Sequence, residues 1–149
     1  MPTYLDTSAL LRVVEKRGEY SIVDAALRDE PITSSLAELE CWASLHKKWL
    51  DGEIDATERD VRLEAAKTTL SSMVLLAVDE EVFADAFTLT QTHPLRTLDS
   101  LHLATAAVAR RHAAPRGVRV RFCTADRRQA EAAERHFGAD QVDVVPPWR

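Results

Sequence analysis

The apolar positions of the chain fall alternately into short runs of strand length and longer stretches with helical spacing. Tyr4 and Leu5 lead to a lone acid, Asp6, after which Ala9, Leu10, Leu11, Val13 and Val14 mark a helix over residues 8–14. Thr7 or Ser8 is expected to cap it, because a side-chain oxygen there can accept the free amides of the first turn. Gly18 interrupts, and "YSIVDAALRD" resumes a helical pattern with Ile22, Val23, Ala26 and Leu27 on one face. "PITS" predicts a short buried strand ending at Thr33. A long helix over 35–50 follows, stopping at Asp51 and Gly52, and then a second over 57–71.

"VLLAV", residues 74–78, is a continuous apolar run, the pattern of a strand covered on both faces. "DEEVFADAFTLTQTH" opens with three acids, favourable at the positive end of a helix dipole, and ends before Pro94. "LDSLHLATAAVARRH" is the most strongly helical segment and is closed by Ala114, Pro115 and Gly117. "VRVRFCTAD" predicts a strand that delivers Asp126, "RRQAEAAERHF" a final helix before Gly138, and "VDVV" a last strand before prolines 146 and 147. Strands alternating with helices define an α/β domain with a mainly parallel sheet, and such sheets bind ligands beyond the carboxyl ends of their strands. No repeat, linker or low-complexity tract divides residues 1–149, so a single domain is expected.

Composition narrows the setting. Cys41 and Cys123 each lie inside an apolar segment and read as small buried hydrophobes, which suits a reducing compartment. The chain opens on a strand rather than a leader, and no apolar run approaches the roughly 18 residues of a membrane span, so a soluble cytoplasmic protein without a membrane partner is expected. The formal net charge of -5 hides a division. Residues 1–95 carry 9 Lys+Arg against 18 Asp+Glu, whereas residues 96–149 carry 10 Arg, no Lys and 6 acids. An arginine-only set suits bidentate phosphate contacts, although a biased helix surface would look the same.

The chemistry lies in the acids. Asp6 and Asp126 are each the first acid after an apolar strand and precede a helix, which puts both on one edge of a parallel sheet. Glu40 lies on the long helix, where Leu36, Leu39 and Ala43 mark the buried face and the spacing places Glu40 on that face too. Asp99 is lodged between Leu98 and Leu101 in the first turn of an apolar helix. Taken singly, each has a plain explanation as a turn, cap or solvated residue. Together they would repel, since two unit charges about 4 Å apart cost about 4 kcal/mol at an effective dielectric near 20. A divalent cation removes that cost. Oxygen ligands without His or Cys suit Mg2+ or Mn2+, and such ions support phosphodiester hydrolysis. A haloacid-dehalogenase-type phosphatase wants an acid where Ser8 stands, and both it and a phospho-receiver domain want a lysine late in the chain, where none follows Lys67.

"YLDTSALL" with Asp6, "TSSLAELE" with Glu40, "LRTLDSLHLATA" with Asp99 and "FCTAD" with Asp126 resemble, in order and spacing, the four acidic motifs of PIN domains, most closely VapC-type toxins of bacterial toxin-antitoxin pairs. The resemblance spans nearly the whole chain, and "LDSLHLATA" is its most specific piece. It implies a three-layer α/β/α domain, a Mg2+ or Mn2+ site, endoribonuclease activity on RNA and inhibition by a VapB-type antitoxin. The pairing habit of the family implies a homodimer. On the same resemblance Asp6 and Asp99 are the principal metal ligands, Glu40 and Asp126 complete the site, and Ser8 and Thr124 are the hydroxyls that support it. A non-catalytic PIN-fold module that binds RNA or protein is the alternative.

Arg12, Arg96, Arg127 and Arg128 neighbour these acids in sequence and are candidate RNA phosphate contacts, or surface arginines. His46 and His102 have no second His or Cys at ligand spacing and read as packed or solvated. Trp42 and Trp49, seven apart on one helix face, read as core or interface packing.

Overall fold

The computed structural model describes residues 1–146, so Pro147, the second of the two prolines expected to follow the last strand, lies outside the described residues. The strands are β1 (Thr3–Leu5), β2 (Pro31–Ser34), β3 (Val74–Leu76), β4 (Arg121–Thr124) and β5 (Val142–Val144). The helices are α1 (Thr7–Glu15), α2 (Ser21–Leu27), α3 (Ala37–Leu50), α4 (Ala56–Ser71), α5 (Glu80–Thr92), α6 (Thr97–Ala113) and α7 (Arg127–Phe137). All strand pairs are parallel, in the order β3-β2-β1-β4-β5. The chain therefore builds β1, β2 and β3 outward in one direction, then returns to lay β4 and β5 on the other side of β1. The reversal leaves a crevice between the carboxyl ends of β1 and β4, the place where open α/β sheets take their ligands.

Alternation along the two central strands assigns the layers. Tyr4 and Phe122, paired across β1 and β4, pack with Val82, Leu89, Leu103 and Ala133 of the α5, α6 and α7 side. Leu5 and Cys123, one residue on, pack with Leu10, Val23 and Leu70 on the other face. A third cluster, Val14, Cys41, Leu45, Leu63 and Ala66, joins α1 to the α3–α4 hairpin. Beside it the buried carboxylate of Glu15 meets Lys48, Arg62 at 3.8 Å and Arg17 at 3.9 Å, tying the end of α1 to both hairpin helices. Both cysteines are free and buried, and burial pushes the Cys41 thiol up to about 12.

Several elements differ from the sequence reading. The cap of α1 is neither Thr7 nor Ser8 but Asp6, whose Oδ1 accepts from the Ala9 amide at 3.0 Å. β3 ends at Leu76 and forms the sheet edge, with Val74 57% and Leu75 43% exposed, so it is not covered on both faces. Apolarity alone does not distinguish an edge from a centre, because it carries no record of how many neighbours a strand has. The buried face of α3 is Ala37, Cys41 and Leu45, whereas Leu39 is 70% exposed and Ala43 is also exposed. The helix starts two residues later than expected, and its packing against α1 and α4 selects the stripe through Cys41 and Leu45. β2 runs on to Ser34, and only Arg121–Thr124 of "VRVRFCTAD" is strand. Among the described residues no helix is long and apolar enough to cross a membrane.

Candidate active site

The crevice between β1 and β4 is lined by Asp6, Thr7, Ser8, Leu11, Glu40, Ser44, Asp99, His102 and Asp126, which enclose about 220 Å3. Four elements deliver the four acids: the end of β1, the first turn of α3, the first turn of α6 and the N-cap of α7, two residues after β4. An adjoining hollow of about 380 Å3 shares Glu40, Asp99 and Asp126 and adds Arg96, Thr97 and Leu98. An apolar cavity of about 390 Å3 beside β3, lined among others by Ile32, Leu76, Val82 and Val108, contains none of the four acids.

Asp6 is the most constrained of them. It is buried, and it caps α1 while its oxygens are held from three directions. Oδ1 accepts from Ser8 Oγ at 2.6 Å as well as from Ala9, and Oδ2 accepts from Thr124 Oγ1 at 2.5 Å. The two hydroxyls are themselves anchored, because Ser8 Oγ accepts the Ala125 amide at 2.9 Å and Thr124 Oγ1 accepts the Asp126 amide at 3.0 Å. Burial nevertheless holds the Asp6 carboxyl above its ordinary value, outweighing His102, Ser8, Thr124 and the Ala9 amide, which act the other way.

Asp126 caps α7, its Oδ1 accepting from the Arg128 and Gln129 amides at 2.8 and 3.1 Å. Asp99 is half-buried, and its pKa is raised first by burial, then by the charges of Asp126 and Asp6, with Arg96 and His102 opposing. The Gln129 side chain donates to the Asp99 carbonyl at 2.8 Å and so ties α7 to the start of α6. Glu40 Oε1 accepts from Thr7 Oγ1 at 3.1 Å and from His102 Nε2 at 2.5 Å.

Thr7 and His102 are the residues whose place here was not foreseen. His102 is packed, as the sequence suggested, but its ring is bonded at both ends, to Glu40 and, through Nδ1, to the Tyr4 hydroxyl at 2.7 Å. Burial lowers its pKa, yet the Glu40 hydrogen bond and the charges of Glu40, Asp6 and Asp99 carry it above the ordinary imidazole value. A helical signal was available, since His102 lies three residues after Asp99 and so on the same face.

The arginines divide. Arg96 lines the adjoining hollow, and its charge opposes the raised pKa of Asp99. Arg12 instead donates to the Pro146 carbonyl at 2.7 Å. Arg128 lines a separate hollow with Pro94, Glu131, Ala132 and Arg135, and Arg127 is exposed on the first turn of α7. Neither Trp42 nor Trp49 is fully buried: Lys67 stands 5.8 Å from the Trp42 ring and the Arg59 guanidinium 4.1 Å from that of Trp49, with His46 between the two indoles. Among the described residues no three Asp, Glu, His or Cys side chains already stand in ligating positions for a metal ion.

An all-parallel sheet with four acids gathered at its switch point is the hallmark of one class of α/β domain, and the chain belongs to the PIN domain family, whose sequence model matches residues 3–135. Solved structures share the fold. FitAcB from Neisseria gonorrhoeae is 18% identical with a TM-score of 0.67, each chain covering 99% of the other. A chain of a toxin-antitoxin complex from Klebsiella pneumoniae is 15% identical with a TM-score of 0.64, over 97% of this chain and 98% of that one. PAE2754 from Pyrobaculum aerophilum is 22% identical with a TM-score of 0.62, over 97% and 84%. No curated protein sequence matches.

Proposed function

We propose that this PIN domain is a Mg2+- or Mn2+-dependent endoribonuclease that acts as the toxin of a toxin-antitoxin pair. The observation that carries the reading is the convergence of Asp6, Glu40, Asp99 and Asp126 on one crevice. The donor chemistry fits a hard divalent ion, for all four side chains offer oxygen alone. Burial raises the pKa of Asp6, and burial with the charges of Asp126 and Asp6 raises that of Asp99, so ionising these carboxyls is costly and a bound cation would relieve that cost. In this reading Asp6 and Asp99 hold the ion, with Glu40 and Asp126 completing the set. When bound, such an ion lowers the pKa of a coordinated water and polarises a phosphate oxygen.

The chain's own residues then do the positioning. Ser8 and Thr124 keep both oxygens of Asp6 in a fixed plane, and Asp126 is held by its cap bonds. Arg96, at the rim, is the phosphate contact the geometry favours most, and its charge places the substrate backbone beside the acids. Arg12, Arg127 and Arg128 serve at most as outlying contacts. Support for a protein partner comes from the fold shared with a chain of a Klebsiella toxin-antitoxin complex. A chain of VapBC2 from Rickettsia felis, solved bound to a DNA fragment from its promoter, is similar as well, at 12% identity and a TM-score of 0.61. A VapB-type antitoxin, a homodimer and a cytoplasmic setting belong to the same reading.

Total RNA incubated with Mg2+ or Mn2+, with and without chelator, tests it directly. Wild type is expected to cleave only with metal, and Asp6→Asn not at all. Equal cleavage by both proteins would end the assignment of Asp6, and no cleavage of any RNA would favour the non-catalytic module.

A further inference from the structure

We infer that His102, oriented from behind by Tyr4, is the positioning residue for Glu40, so that the central strand of the sheet sets the rotamer of an acid carried by a helix on the other side of the crevice. The inference rests on the proposal that the four acids form the reactive site.

Glu40 needs such a hold. Its side chain is 18% exposed between exposed neighbours Glu38, Leu39 and Ala43, and an unheld glutamate side chain samples many rotamers. The two bonds it receives, from Thr7 and His102, come from α1 and α6 rather than from its own helix. Both fall on Oε1. Among the described residues Oε2 accepts no hydrogen bond, which leaves that oxygen for whatever enters the crevice.

The direction of each bond follows from donor and acceptor chemistry. A carboxylate only accepts, so the His102 nitrogen facing Glu40 must carry a proton, whether the ring is neutral or cationic. In the neutral ring Nδ1 is then an acceptor, and the Tyr4 hydroxyl is the donor that reaches it, at 2.7 Å. Tyr4 is fully buried, and its hydroxyl is held within hydrogen-bond reach of that ring nitrogen. In the neutral ring the phenol thereby selects the tautomer that serves Glu40, and in the cationic ring it accepts from Nδ1–H and holds the same ring orientation, in the way outer partners orient histidines at metal sites.

Tyr4 in turn cannot drift. It sits on β1 between β2 and β4, in register with Ile32 and Phe122, and stacks on the Phe122 ring at 5.7 Å with the planes 6° apart. Its contact with the imidazole is edge-on, 5.9 Å between centroids. His102 is 3% exposed and lies one turn after Asp99, so α6 carries one acid of the site and the group that grips another. The path Tyr4, His102, Glu40 thus runs from the central strand of the sheet through α6 to α3.

The test compares His102→Phe, which keeps a ring without an N–H, with His102→Gln, whose amide can donate to Glu40, and with Tyr4→Phe. Nitrogen-15 spectra of the metal-free protein read the linkage without reference to activity. Wild type should show a protonated His102 Nε2, Glu40→Gln should shift that nitrogen, and Tyr4→Phe should shift Nδ1. An Nε2 unmoved by Glu40→Gln overturns the inference even if the protein cleaves no RNA, whereas a shift with no cleavage upholds the linkage and removes only the nuclease reading.

With an active enzyme, His102→Phe is expected to lower kcat about 10–100-fold, the usual loss for an outer partner of a metal-site ligand, with KM little changed. His102→Gln should recover most of that loss, and in a Glu40→Gln background His102→Phe should have no further effect. Additive losses, or a Gln variant no better than Phe, would show that His102 does not act through Glu40. Should His102→Phe fail to fold, Tyr4→Phe, which deletes one oxygen, decides by the same kcat and Nδ1 readouts.

Discussion

Thr124→Val removes a single oxygen from the centre of the acid cluster and leaves a β-branched side chain suited to the strand. Thr124 is fully buried. Its hydroxyl donates to Asp6 Oδ2 at 2.5 Å and accepts the Asp126 amide at 3.0 Å. A bond to a charged group contributes about 1.5–3 kcal/mol and a neutral one about 0.5–1.5, so the loss at neutral pH should be about 2–4 kcal/mol. For a chain of this size that corresponds to a fall in Tm of about 4–16 °C. Thr124→Ser keeps the hydroxyl and loses only a methyl, so it should cost about 1 kcal/mol.

The pH dependence has a definite sign. Asp6 has a folded pKa raised above its unfolded value, so it favours folding below the unfolded pKa, and that contribution is lost as pH rises through the folded one. Removing a donor that stabilises the carboxylate raises the folded pKa further, so the Val variant should lose most near neutrality and least in acid. Urea unfolding in EDTA at neutral and at mildly acidic pH measures both values. A neutral-pH loss below about 0.5 kcal/mol, or equal losses at the two pH values, would refute the picture of Thr124 as a support for an ionised Asp6.

Asp99→Asn should abolish RNA cleavage while preserving or raising the thermal stability of the metal-free protein. It removes a carboxylate whose raised pKa disfavours folding as pH rises, and marked destabilisation in a thermal melt would show Asp99 to be mainly structural. Mn2+ should raise the Tm of wild type and not that of Asp6→Asn, and equal shifts in a thermal titration would place the ion elsewhere. His136 has its pKa lowered by partial burial, by His93 and by Arg110, against Asp85. Its contribution to folding is therefore present above the ordinary imidazole value of 6.5 and lost as pH falls through the folded value. His136→Gln should flatten the loss of stability over that acidic range, and an unchanged pH profile in urea melts would count against this.

Much of the architecture was legible because helical and strand periods reflect which face is buried. The long helices, the strand before Asp6 and the strand before Asp126 lie close to where the apolar spacing put them. Errors fell where the deciding partner is distant in sequence. The exposure of Val74 and Leu75 follows from β3 having a neighbour on one side only, and the rotated face of α3 follows from packing against α1 and α4.

The same division holds at the crevice. Which acids carry apolar context, and that two of them follow strands, is written locally, because pattern and strand-end position are properties of a few neighbouring residues. The packing of the sheet returns β4 beside β1, which brings Asp126 and Thr124 to Asp6 across more than a hundred residues. The same packing sent Arg12 to the Pro146 carbonyl and set Tyr4, His102 and Glu40 in one line. Hydrogen bonds between side chains need atoms within about 3 Å, and that proximity is a property of the packed sheet and helices, written in no single stretch of the chain.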